Sequence, residues 1–399
     1  MEPKVRFKGF EGEWKTPSIG DVFELRNGYT PSKIVKEFWE GGTIPWFRME
    51  DIRMNGGFLK DSLQHITPLA VKGAGLFEKR SIILATTATI GVHAMLIADS
   101  LANQQFTNFK VRKSLSDEYI DEFIYYSFFK IDEWSINNTN SGGLLSVNMP
   151  LLVKQGFLTP CKEEQQAIAT YFLTLDSKIQ STSKKLASLK KLKSASLVAM
   201  FPQNGESMPK VRFKGFEGEW STNNLGSIFA ERIESNENGE MLSVTMNNGI
   251  IRSSDNGRFD NSNSDKSKYK VVKIGDIAYN SMRMWQGASG VSQYEGIVSP
   301  AYTVVTPSVD VDTDFFGYLF KTDDVIRLFK LNSQGLTSDN WNLKYPAFSR
   351  ICVSYPESKE EQQAIAAYFR SLDRKIALET ARLEKLKQIK LACLDKMFV

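Results

Sequence analysis

The chain has 399 residues, of which 42% are hydrophobic and 12% aromatic; two or more packed domains are expected, and the composition argues against wholesale disorder. Three scattered cysteines (Cys161, Cys352 and Cys393) form no CxxC pair, and His65 and His93 are the only histidines, which argues against a disulfide framework, a zinc site or a histidine-built metal centre. A polar N-terminus, no run near the ~18 apolar residues of a membrane span, and a net charge of +4 read as a soluble cytoplasmic protein that tolerates a polyanionic partner without demanding one.

In chain order, the first feature is the segment Pro-Lys-Val-Arg-Phe-Lys-Gly-Phe-Glu-Gly-Glu-Trp at 3–14, which recurs at 209–220, an offset of 206. A second repeat, Glu-Glu-Gln-Gln-Ala-Ile-Ala followed by Tyr-Phe, begins at Glu163 and again at Glu360, an offset of 197. The chain is two tandem halves whose ends match while the stretches between them look unrelated. Those middles, roughly 15–158 and 221–355, have strand-like patterning. Ser81-Ile-Ile-Leu-Ala-Thr-Thr and Lys270-Val-Val-Lys-Ile-Gly-Asp-Ile-Ala-Tyr read as buried strands, and Asn247-Asn-Gly and Asp255-Asn-Gly as tight turns. Helices are expected from Asp117 to about Trp134 and from Asp314 to Leu331. Gly-rich loops follow at Asn140-Ser-Gly-Gly-Leu-Leu-Ser and Asn332-Ser-Gln-Gly-Leu-Thr-Ser. Gln203-Asn-Gly-Glu-Ser reads as the junction between the halves.

After each second repeat comes a heptad stripe. Ile168, Phe172, Leu175, Ile179, Leu186 and Leu189 form the first; Ile365, Phe369, Leu372, Ile376, Leu383 and Leu386 form the second. Neither stretch contains Pro or Gly, so each reads as a helix of about 39 residues, roughly 58 Å long. An amphipathic helix needs a partner for its stripe, and the simplest partner is the other copy, running antiparallel. Thr182, Lys193, Glu379 and Lys390 then set register rather than add stability. The resulting fold class is α/β (α+β): two mixed globular domains and a helical coiled coil in a pseudo-twofold tandem duplication. The divisions are 1–158, the helix 159–202, the junction and second domain 203–355, and the helix 356–399.

No P-loop, GxSxG, HExxH or Gly-rich nucleotide loop occurs. Glu357-Ser-Lys359 has the Glu-x-Lys form of some nucleases, but without an acidic partner upstream it reads as a helix-capping, surface element. Catalysis by this chain alone is not supported. Binding features remain. Arg48 and Arg53 follow Trp46-Phe47, Asn103 and Gln104 precede Phe106, and Asn280, Arg283 and Gln286 surround Trp285. Arginine matches guanine, and asparagine or glutamine matches adenine, through two hydrogen bonds in the major groove. The lysines 184–193 read as a solvated helix face.

Arg6-Phe-Lys-Gly-Phe-Glu-Gly-Glu-Trp14, Ile44-Pro-Trp-Phe-Arg48, Ala88-Thr-Ile-Gly91, Asn103-Gln-Gln-Phe106, Gly275-Asp-Ile-Ala-Tyr-Asn280, Gly296-Ile-Val-Ser-Pro-Ala-Tyr302 and both Glu-Gln-Gln-x-Ile-Ala helix starts resemble the specificity subunit of type I restriction–modification systems. The resemblance implies two target-recognition domains, each reading one part of a bipartite double-stranded DNA site, with the helices setting the unread spacer. It also implies that the helices dock two methyltransferase subunits and that motor-nuclease subunits complete the complex. S-adenosylmethionine, ATP and Mg²⁺ would belong to those partners, leaving this chain without a cofactor or catalytic role. A protein-binding coiled-coil scaffold and a stand-alone nuclease are the competing readings.

Overall fold

The computed structural model describes residues 2–140, 143–203, 205–246, 248–256, 265–336 and 340–398. Parts of both Gly-rich loops, both Asn-Gly turns and Asn204 of the junction lie outside these residues. The chain forms two compact units, one of Met1–Ser183 with Ala381–Val399 and the other of Lys184–Thr380. The long helices Lys162–Ala199 and Lys359–Met397 therefore each begin in one unit and end in the other.

The first unit is built on a five-stranded sheet in the order Phe23–Asn27, Phe106–Val111, Ile82–Ala85, His93–Leu96, Phe58–Leu59. Its centre is antiparallel, with Ile82 opposite Phe109 and Ala85 opposite Phe106. A three-stranded sheet sets Ile44–Phe47 between His65–Ile66 and Leu101–Ala102. The helix Asp121–Asn137 begins and ends later than its expected span. The preceding turn stays irregular because Gln165 of the long helix binds it at two points, accepting from the Ile120 N–H (3.0 Å) and donating to Glu118 O (3.1 Å).

The second unit repeats the central sheet in the order Phe229–Glu231, Tyr302–Pro307, Ile277–Asn280, Ser289–Val291. Ile277 faces Val305 as Ile82 faces Phe109. At the same register, Thr86 bonds Thr107 at 2.9 Å in the first unit and Ser281 bonds Thr303 at 2.8 Å in the second. The middles that look unrelated in sequence thus share a sheet, because alternating burial constrains polarity and size but not identity. Two expectations need correction here. The segment 270–279 is two strands, Lys270–Val272 and Ile277–Asn280, turned apart at Gly275. The helix expected over 314–331 is two, Thr313–Leu319 and Asp323–Asn332. The Thr322 hydroxyl donates to Leu319 O (2.7 Å), turning the chain there, while the Lys321 ammonium leaves helical surroundings to hold backbone carbonyls.

Within each unit the two helix segments run antiparallel. In the first, Tyr171 lies 3.3 Å from Cys393 Sγ, and Lys390 Nζ is 2.6 Å from Asp176. In the second, Ser196 bonds Tyr368 at 2.9 Å and Lys193 Nζ is 2.5 Å from Asp373. These pairs are the same positions of the tandem repeat with their roles exchanged. Ile168, Phe172, Leu175, Leu186, Ile365, Phe369, Leu372 and Leu383 are buried, while Ile179, Leu189, Ile376 and Leu386 are half-buried. The stripe also serves the globular parts, since Phe172 stacks on Tyr126 (4.8 Å) and Phe369 on Phe201 (5.9 Å). Of the polar seam positions, Lys193 and Lys390 are ion-paired, Thr182 is buried, and Glu379 takes Lys185 at 2.5 Å.

Candidate nucleic-acid interface

In the first unit, parallel pairing of Ile44–Phe47 with Leu101–Ala102 sets Trp46 beside Leu101 and Phe47 beside Ala102. The strands end together, and the Asn103 N–H donates to Phe47 O at 3.0 Å. The next residues on the two strands, Arg48 and Asn103, therefore share one edge, joined by the loop after Asn27. There Gly28 passes so close that a Cβ would collide with the carbonyls of Ala102 and Asn103. Thr30 Oγ1 donates to Gln104 Oε1 at 2.5 Å. Tyr29 is fixed by Trp46 Nε1 on its carbonyl (3.0 Å), and the Lys72 ammonium lies 4.5 Å above its ring.

Arg48 caps the helix Met49–Asn55 through its own N–H to Asp51 (2.7 Å). Its Nη2 reaches the exposed Glu50 at 3.2 Å, while its Nε is buried and has no hydrogen-bond partner among the described residues. Arg53 is exposed. Asn103 is turned inward, its Oδ1 accepting from the Gln105 N–H (3.0 Å), so its amide shapes the turn. Nearby, Ala88 adopts a left-handed φ of 65°, held by its N–H on Leu145 O (2.9 Å).

In the second unit the strand Ile277–Asn280, counterpart of Ile82–Ala85 rather than of Ile44–Phe47, opens at its end into the loop 281–287. Asn280 Oδ1 accepts from the Met282 N–H (3.0 Å), which makes it a turn residue as well. Arg283 is exposed and reaches Gln286 Oε1 at 3.4 Å. Trp285 is half-buried, edge-on to Trp341 at 5.2 Å. The expected residues thus form two clusters, one per unit: Arg48, Asn103 and Gln104 in the first, Asn280, Arg283 and Gln286 in the second. Arg48, Arg53, Gln104, Arg283 and Gln286 have groups facing outward, and both asparagines serve the backbone. Sequence reasoning missed Thr30, Tyr29 and Lys72, which join this edge through contacts between residues distant in sequence, Lys72 by its N–H on the Tyr29 hydroxyl (2.8 Å), and left no local signal.

Elsewhere, Glu357 accepts from Ser221 (2.5 Å) and Lys359 pairs with Asp310, so the Glu-x-Lys element is engaged in surface contacts. The described residues hold no group of three metal-ligating side chains, and no helix among them is long and apolar enough to cross a membrane.

The family model for the type I restriction modification DNA specificity domain matches residues 11–191 and 218–388. The EcoprrI specificity subunit of Escherichia coli is 46% identical over 158 residues, 40% of this chain and 39% of that protein. The MjaIX specificity subunit of Methanocaldococcus jannaschii is 27% identical over 251 residues, 60% of this chain and 56% of that protein. The aligned stretches thus span between about two-fifths and just over half of these relatives. Among solved structures, the S subunit of a type I restriction–modification system from M. genitalium superposes with a TM-score of 0.60 at 15% identity, over 100% of this chain and 99% of that one. A chain from a study of type I complex assembly and conformational transition gives 0.53 at 15% identity, over 97% and 98%. The solved structures share the fold, and the two matched segments together cover most of the sequence: the chain belongs to the type I restriction–modification DNA specificity family and has two copies of its domain.

Proposed function

We propose that this chain is the DNA-specificity component of a type I restriction–modification assembly. Each unit reads one part of a bipartite double-stranded site through its strand-end edge, and the long helices set the unread spacer. Two methyltransferase subunits dock on the helices, and motor-nuclease subunits complete the restriction complex. The chain itself is non-catalytic, and S-adenosylmethionine, ATP and Mg²⁺ act in those partners. One observation supports this reading above the others. The two units share their central sheet and their helix contacts, yet they offer different side chains from different strand ends, Arg48 and Gln104 beside the three-stranded sheet of the first and Arg283 and Gln286 after a central strand of the second. Two readers of one build with unlike surfaces suit two unlike half-sites.

Co-expression with a cognate methyltransferase, followed by modification-sensitive sequencing, tests it. Methylation confined to one asymmetric two-part motif is expected, and replacing 221–355 with the block of a relative should change only one part. Absent or sequence-independent methylation with all partners present would overturn the reading, the second outcome favouring a protein-binding scaffold.

A further inference from the structure

Lys321 sits in the break between Thr313–Leu319 and Asp323–Asn332, where the sequence pattern expects continuous helix. Its part-buried ammonium donates to three backbone carbonyls: Gly287, Ser289 (2.8 Å) and Met246 (3.4 Å). Gly287 closes the loop 281–287, Ser289 starts the next strand, and Met246 follows the hairpin strand Leu242–Thr245. An ammonium has three donors, and here each finds an acceptor on a segment bordering the loop that presents Arg283 and Gln286. Gly287 has φ 80°, and a Cβ there would lie 3.3 Å from Ile326 and 3.9 Å from the Lys321 stem, so the loop's end runs beside the side chain that holds it.

We propose that Lys321 is a positioning residue for sequence reading by the second unit: its ammonium clamps the loop 281–287 to the hairpin beside Met246. The proposal rests on the DNA-reading function above and adds a residue that touches no base. Burial, then the nearby Lys193, pushes the Lys321 pKa down to about 8. Lys193 is itself paired with Asp373 and lies over the Tyr318 ring, 5.6 Å from its centre. The loop, strand and hairpin face Lys321 with carbonyls, Arg283 is exposed, and Asp323 and Asp324 open the helix that follows it. Near pH 9 a neutral amine offers two donors to three carbonyls and none is charge-assisted, so the clamp loosens.

The test uses the full chain with its methyltransferase partner and DNA altered at one base pair in either half-site. Wild type should lose about tenfold in discrimination at the second unit's half-site between pH 7 and pH 9, while the first unit's half-site serves as internal control. Lys321→Met should show the lowered value already at pH 7, and Lys321→Arg, charged throughout, should hold the pH 7 value to pH 9. Unchanged discrimination at both pH values in wild type, or full discrimination by Lys321→Met, overturns the proposal. The wild-type pH series decides the matter even if the methionine variant fails to fold. A wild-type complex with no two-part preference at any pH would instead overturn the DNA-reading function itself.

Discussion

Arg6 and Arg212, at matching positions of the first repeat, both end on a carboxylate of the second repeat. Arg6 meets Glu164 at 2.8 and 2.7 Å, and Arg212 meets Glu361 at 2.6 and 2.7 Å. Each glutamate side chain is only 1% exposed, and each guanidinium pKa is raised, first by that hydrogen bond. A two-point pair with a dry carboxylate costs little to keep and much to break from one side. Arg212→Ala should therefore destabilise the second unit by roughly 3 kcal/mol in urea unfolding, and Arg6→Ala the first. Arg212→Met combined with Glu361→Leu should recover most of the loss, because no stranded charge remains. Equal losses in single and double variants would show that packing, not the charge, is at stake.

At the scale of elements, the long helices were the most legible part of the chain. A heptad stripe without Pro or Gly leaves one conformation that buries it, and the helices span Lys162–Ala199 and Lys359–Met397. The strands Ile82–Ala85 and Ile277–Asn280 were legible as apolar runs. Their shared register was hidden, since cross-strand pairing is set by distant partners. The placement of the candidate residues was half legible: Arg48 and Arg283 stood out by residue type and present groups outward, whereas Asn103 and Asn280 proved to be turn residues, a distinction decided by backbone geometry. The helix nodes carry a prediction of their own. Tyr126 donates to Asp176 at 2.8 Å and Tyr318 to Asp373 at 2.9 Å; burial first, then the carboxylate, raises both phenols above their ordinary 10.0. The native state keeps these protons where the unfolded chain releases them. Their contribution is thus intact below about pH 10 and declines as pH rises beyond it. Tyr126→Phe should cost about 1 kcal/mol at neutral pH and flatten the alkaline fall in the first unit's stability, followed by denaturant melts from pH 8 to 11. An unchanged alkaline slope would contradict the assignment.

At the scale of the whole molecule, each long helix finishes as core of the unit it did not start in. Met397 and Phe398 are buried in the first unit's cluster with Trp14, Phe123 and Phe172, and Met200 and Phe201 in the second unit's cluster with Trp220, Phe315 and Phe369. The ring geometry matches: Phe398 is edge-on to Trp14 at 6.4 Å, and Phe201 is edge-on to Trp220 at 6.0 Å. Neither unit therefore has a contiguous sequence, and a cut at the midpoint of the chain would not separate two complete cores. The consequence is a crossed pattern of stability. Truncating a buried phenylalanine to alanine costs roughly 3–5 kcal/mol. Phe398→Ala, at the far end of the second half, should lower amide protection in the sheet around Ile82 and Phe109 of the first half. Phe201→Ala, near the end of the first half, should lower it around Ile277 and Val305 of the second. Hydrogen exchange read by peptide resolves the two directly. Loss of protection in the half that carries the substitution would contradict this division of the core, because the buried neighbours of each phenylalanine lie in the unit named.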